Sequence, residues 1–108
     1  MEIDPRIIGE IVRRILCETH PERIILFGSA AAGRMTRDSD IDLLVIHRSR
    51  DDPWPESVRV RAALRGLGFP FDVIVLASER FEETKDVIGG IAYPAHKYGR
   101  VIQGPSDR

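Results

Sequence analysis

The chain has 108 residues, of which 43% are hydrophobic and 31% charged, and its formal net charge is −1. This is enough chain for one small domain with a core, expected to span residues 1–108. The near-neutral balance argues against a broad nucleic-acid or membrane surface, and no apolar run approaches the ~20 residues that cross a bilayer.

Asp4 and Pro5 open a helix that the stripe Ile7, Ile8, Ile11, Ile15 and Leu16 carries to Glu18. Asp is a favoured N-cap, Pro suits the first helical position, and Ile3 and Ile8 are placed to form a hydrophobic staple. "ERIILF" (22–27) is a continuous apolar run closed by Gly28 and reads as a buried strand. "SAAAGR" (29–34) reads as a turn or two of helix, with Ser29 at its start and Gly33 at its C-cap. The polar "MTRDS" (35–39) is a loop, and "DIDLLVIH" (40–47) a second strand. "RSRDDPWPE" (48–56), with its two prolines, reads as a turn-rich connection, and residues 57–68 as a helix. "FPFDVIVLA" (69–77) is a third strand, apolar but for Asp72. Residues 78–88 form a helix capped by Ser78, residues 89–98 a broken helix, and "GRVIQG" (99–104) a short last strand. Strands alternating with helices imply an α+β fold, a small mixed β-sheet with helices packed on it.

Three features converge on a phosphate chemistry. Gly28-Ser29 stands at a strand-to-helix junction, where glycine lets an anion approach the backbone and the helix start offers free N–H groups. Asp40 and Asp42 are two apart on a strand, so both face one way, with Leu44 and Ile46 continuing that face as core. Like charges at a core rim are costly unless something positive compensates. Asp72 joins them if the third strand lies beside the second, and three carboxylates supply hard oxygen ligands for one or two Mg²⁺ ions. A solvated strand start is the plainer reading of each acid taken alone.

"GSAAAGRMTRDSDIDLLVI" (28–46), followed by the Asp in "FDVIVL" (71–76), resembles the nucleotidyltransferase superfamily that includes DNA polymerase beta. The small size resembles the minimal nucleotidyltransferases, which often act as antitoxins beside a HEPN-domain toxin. The resemblance runs from about Ile24 to Leu76 and implies roles for the motif residues. Gly28 and Ser29 would grip the triphosphate, Asp40 and Asp42 would ligate metal, and Asp72 would serve both metal binding and activation of the attacking hydroxyl. It further implies Mg²⁺ and transfer of a nucleoside monophosphate, AMP from ATP in the antitoxin branch, to a hydroxyl on a partner HEPN-type toxin. The chain leaves little length for an acceptor-binding region, so the acceptor is expected on a partner or on a second copy of the chain. A non-catalytic antitoxin that masks its toxin, and a drug-modifying nucleotidyltransferase, are the alternatives.

The remaining candidates read more simply. Arg34 and Arg37 flank the loop between Gly28-Ser29 and Asp40 and are read as surface arginines within reach of a phosphate. His20, His47 and His96 lack metal-ligand spacing and are expected at the surface or at helix ends. Trp54 is either a partner anchor or a rim residue, and Tyr93 and Tyr98 are packing. Cys17 is the only cysteine and is expected half-buried in helix packing. With no disulfide within the chain and no basic-apolar leader pattern, the expected location is the cytoplasm.

Overall fold

The structure is a computed structural model and describes residues 2–36, 38–48 and 51–105. Helix α1 (Pro5–Glu18) leads into strand β1 (Arg23–Phe27), the single-turn α2 (Gly28–Ala31) and strand β2 (Ile41–His47). Helix α3 (Trp54–Ala63), strand β3 (Phe71–Ala77), helices α4 (Ser78–Thr84) and α5 (Ala92–Tyr98) and strand β4 (Arg100–Gln103) complete the chain. The sheet order is β3-β2-β1-β4. β1 runs antiparallel to β2 and β4, and β2 runs parallel to β3 through the α3 crossover, so the sheet is mixed, as expected.

The alternation of β2 divides the core in two. Ile41, Leu43 and Val45 pack with Ile11 and Ile15 of α1 and Val60 of α3 on one face. Leu44 and Ile46 pack with Phe81 of α4 and with Ala92 and Ala95 of α5 on the other. β3 follows the same rule: Phe71, Val73 and Val75 belong to the α1/α3 face, Ile74 and Leu76 to the α4/α5 face. Asp42 and Asp72 therefore share the α4/α5 face. Burial of these strands from both sides explains their continuous apolar runs. Gly99 ends α5 where an added Cβ would press within 2.7 Å of Ile25 Cγ2, so glycine lets α5 close onto β1.

The α1 start is built as the sequence implies: the Asp4 carboxylate accepts from the Arg6 N–H at 2.9 Å, and Ile3 and Ile8 join one apolar cluster. Other boundaries differ. α3 begins at Trp54, inside the stretch read as a connection. Pro53 and Pro55 flank a helix start, where their fixed φ is favourable and their missing N–H costs nothing. The Asp52 carboxylate accepts from the Trp54 N–H at 3.0 Å. α3 ends at Ala63 rather than continuing to 68, since Gly66 and Gly68 both adopt positive φ. Ser78 is the first residue of α4 and not its cap, which is Ala77, and α4 stops at Thr84 instead of reaching 88. Cys17 is exposed, because it lies off the Ile11/Ile15 stripe that faces the sheet.

His47 also departs from expectation. It ends β2 half-buried, with Nδ1 bonded to the Glu56 carboxylate. Glu56, only 4% exposed, also accepts from the Thr19 hydroxyl at 2.5 Å. One buried carboxylate thus ties the end of α1 and the end of β2 to the start of α3. Removing it strands two polar groups, each costing about 1–3 kcal/mol when left without a partner. Glu56→Ala is expected to lose about 2–4 kcal/mol in urea unfolding, and Glu56→Gln, which keeps the volume and an acceptor, markedly less.

Candidate active site

β1 delivers the chain to Gly28, which adopts φ +67°, a left-handed conformation that a side-chain-bearing residue takes only with strain. The second constraint is steric. A Cβ at position 28 would fall onto Oδ2 of Asp42, with the Asp42 Cγ only 3.1 Å away. The Gly28 backbone and the Asp42 carboxylate are therefore in direct apposition. Strand register sets the rest: Phe27 lies opposite Asp42 on one side, and Asp72 lies opposite Asp42 on the other. Asp42 thus stands between a backbone turn and a second carboxylate.

The electrostatics follow from this placement. The Asp42 pKa is raised above the ordinary carboxylate value. Burial is the main cause, followed by the charge of Asp72, the charge of Asp40 and a hydrogen bond shared with Asp72. Asp40 and Asp72 are exposed, while Asp42 is half-buried. β2 begins at Ile41, so Asp40 sits one residue outside the strand rather than within it as its alternation implied. Among the described residues, no Arg, Lys or His forms an ion pair with any of the three acids. Nor are three acidic, His or Cys side chains already gathered there about a single cation position. The pair that is gathered, Asp42 with Asp72, offers hard oxygen donors whose mutual repulsion a divalent cation would relieve, and so fits Mg²⁺ chemistry.

α2 begins at Gly28, and its N-cap residue is Phe27, which supplies no side-chain cap. Ser29 is consequently inside the turn and does not cap it. Its hydroxyl makes no hydrogen bond among the described residues. The turn closes with the Arg34 N–H donating to the Ser29 carbonyl at 2.9 Å across Gly33, which has positive φ just after the C-cap Ala32. That exit directs the chain through the Thr36–Ser39 turn, where the Thr36 N–H donates to Ser39 Oγ at 2.9 Å, and on to Asp40.

Arg34 is exposed, and Arg37 lies outside the described residues. His20 is exposed, His96 packs edge-on against Phe81, and His47 is held by Glu56 at the end of β2 opposite Asp42. Tyr93 and Tyr98 meet edge to face. Trp54 is 63% exposed and lines a cavity beside β3. Sequence reading passed over Arg61, whose guanidinium donates to the Val73 carbonyl at 2.6 Å and to Ser57 Oγ at 3.1 Å. The signal was available in principle: an Arg on the helix of a βαβ unit, one turn after a small hydroxyl residue.

Comparison with known proteins matches this architecture. No curated protein sequence matches the chain significantly. Among solved structures, a toxin–antitoxin complex with AMP-PNP superimposes with a TM-score of 0.59 at 22% identity, over 91% of this chain and 73% of that one. The Shewanella oneidensis complex of a tri-AMPylated HEPN toxin with MNT antitoxin gives a TM-score of 0.56 at 17% identity, over 95% and 74%. A mutant MntA–HpeT toxin–antitoxin gives 0.58 at 19% identity, over 91% and 73%. At these identities the likeness is one of fold. The profile of the nucleotidyltransferase domain family matches residues 10–93, a stretch that holds β1, the Gly28 turn, β2 and β3 with all three acids, and the chain belongs to that family.

Proposed function

We propose that this protein is a Mg²⁺-dependent nucleotidyltransferase that moves AMP from ATP onto a hydroxyl of a partner protein, as the antitoxin member of a HEPN/MNT pair. The observation that carries the reading is the Asp42 carboxylate wedged between the Gly28 backbone and Asp72. The neighbours that share the fold, a toxin–antitoxin with AMP-PNP and an MNT antitoxin in complex with a tri-AMPylated HEPN toxin, support the choice of nucleotide and partner.

In this reading Asp42 and Asp72, with Asp40 just ahead of the strand, would hold Mg²⁺, which would supply neutralisation of phosphate charge. Gly28, with no side chain in the way, and Ser29, whose hydroxyl makes no hydrogen bond among the described residues, receive the triphosphate. The acceptor oxygen bonds to the α-phosphorus, the bond from that phosphorus to the bridging oxygen breaks, and pyrophosphate leaves with the electron pair. Asp72 is exposed on the outermost strand, where an incoming hydroxyl can reach it and give up its proton. The protein's contribution is positioning and preorganised electrostatics.

The crowded acids are testable through both stability and transfer. Because Asp42 is raised above its unfolded value, the native state binds the extra proton and stability falls as pH rises through the interval between the two values. Without divalent metal at pH 7, Asp42→Asn is expected to melt above wild type, because the amide carries no charge to lose hydration or to repel Asp72 and Asp40. Mg²⁺ should raise the melting temperature of wild type and not of the variant. A variant that melts below wild type without metal contradicts the repulsion argument. Transfer of label from α-labelled ATP to a co-expressed HEPN-type partner should fall at least 100-fold in Asp42→Asn and in Gly28→Ala, since several kcal/mol of transition-state stabilisation rests on this site. Wild-type transfer by Asp42→Asn overturns the proposed chemistry, and equal neutralisation of the partner by both variants points to masking instead.

A further inference from the structure

β3 is an edge strand whose outer side no strand pairs with among the described residues, and it carries Asp72. The Ile41 N–H donates to the Pro70 carbonyl, so even-numbered residues of β3 turn their backbone groups toward β2. Phe71, Val73, Val75 and Ala77 turn theirs outward. Among the described residues, Phe71, Val73 and Val75 of that outer row have one hydrogen-bond partner, the Arg61 guanidinium on the Val73 carbonyl. Natural edges are usually blunted by Lys, Pro or a bulge, and "FDVIVLA" has none of these.

The space alongside this edge is shaped. Two cavities lie between α3 and β3 on either side of Arg61. One, of about 340 Å³, is bordered by Trp54, Ser57 and Val75. The other, of about 260 Å³, is bordered by Arg65, Phe69 and Phe71. Arg61 borders both, and neither Arg61 nor Arg65 forms an ion pair among the described residues. The second cavity is therefore cationic as well as apolar.

We propose that the acceptor protein docks as an extended segment added to the outer edge of β3, with its hydroxyl residue directly opposite Asp72 and an acidic residue immediately next to it. This rests on the reading of the site as one that modifies a protein hydroxyl. An added strand lies ~4.8 Å from β3, and its side chains alternate between faces. The residue opposite Asp72 projects onto the face that Asp72 shares with Asp42, with its Cβ about 5 Å from that of Asp72. The residue opposite Phe71 projects onto the α3 face, into the cavity of Arg61 and Arg65, where a carboxylate gains two guanidiniums. Residues opposite Val73 and Val75 meet the cavity of Trp54, which suits small and apolar side chains. Main-chain bonds to the Phe71 and Val75 rows supply affinity, and the two cavities supply selection.

The test uses the full chain, without nucleotide, and fluorescein-labelled eight-residue peptides that alternate valine and threonine about a central tyrosine followed by glutamate. Fluorescence polarisation is expected to show binding that weakens at least tenfold when one alternate set of peptide amides is N-methylated, and not when the other set is. Val75→Pro, which removes an outward N–H, should weaken it similarly, and Arg65→Glu should reverse a preference for glutamate over lysine beside the tyrosine. Equal binding by both N-methylated peptides, or no binding of any peptide at millimolar concentration, overturns the proposal. So does a concentration-dependent dimer of the wild-type chain that Val75→Pro abolishes, because the edge is then occupied by a second copy. Label transfer from α-labelled ATP is read separately. Peptide docking without transfer from any nucleotide refutes the proposed activity and leaves the docking edge standing. Transfer to a HEPN-type partner at the wild-type rate by Val75→Pro refutes the docking edge and leaves the activity standing.

Discussion

One placement governs this molecule: a carboxylate at the start of the central strand is pressed between a backbone turn and a second carboxylate. Asp42 gives up part of its hydration to stand there and meets the charges of Asp72 and Asp40 as well. Burial and like charge act in the same direction, so the site is destabilising on its own. Such an arrangement persists when the surrounding structure enforces it. The enforcing elements are the fully buried Leu43, Leu44, Val45 and Ile46, which fix β2 in register with β1 and β3, and Gly28, which leaves room for the carboxylate.

The mixed sheet supplies the geometry at low cost. The antiparallel pairing of β1 with β2 places the Gly28 turn at the same end as the start of β2. The parallel pairing of β2 with β3 brings the start of β3 to that end as well, which requires the α3 crossover. Three separate stretches of chain thereby meet at one sheet end. At the opposite end, the buried Glu56 network ties the crossover to α1 and β2. The stabilising polar cluster and the strained one are thus separated by the length of β2.

Much of this was legible in the sequence because it depends on local rules. Alternation in "DIDLLVIH" gave the two faces of β2, and the same rule put Asp72 with Ile74 and Leu76. The boundaries that moved depend on nonlocal facts. Pro53 and Pro55 look like turn residues until α3 is seen packed on β3, and Glu56 looks solvated until Thr19 and His47 close over it. Ser29 and Ser78 each look like caps, yet in both cases the helix begins at or before the serine. The register that sets Asp42 against Asp72, and the collision that excludes any side chain at position 28, arise only when separate stretches of chain come together at one sheet end.

As proposed, Asp42, Asp72 and the Gly28-Ser29 turn would form one site for a metal-bound triphosphate. A crystal grown with Mn²⁺ and a non-hydrolysable ATP analogue tests it most directly, through the anomalous signal of the metal. The expected result is a manganese peak at the Asp42 and Asp72 carboxylates, with the triphosphate against the backbone of Gly28 and Ser29. A well-ordered nucleotide bound elsewhere, or manganese that ignores both carboxylates, contradicts it.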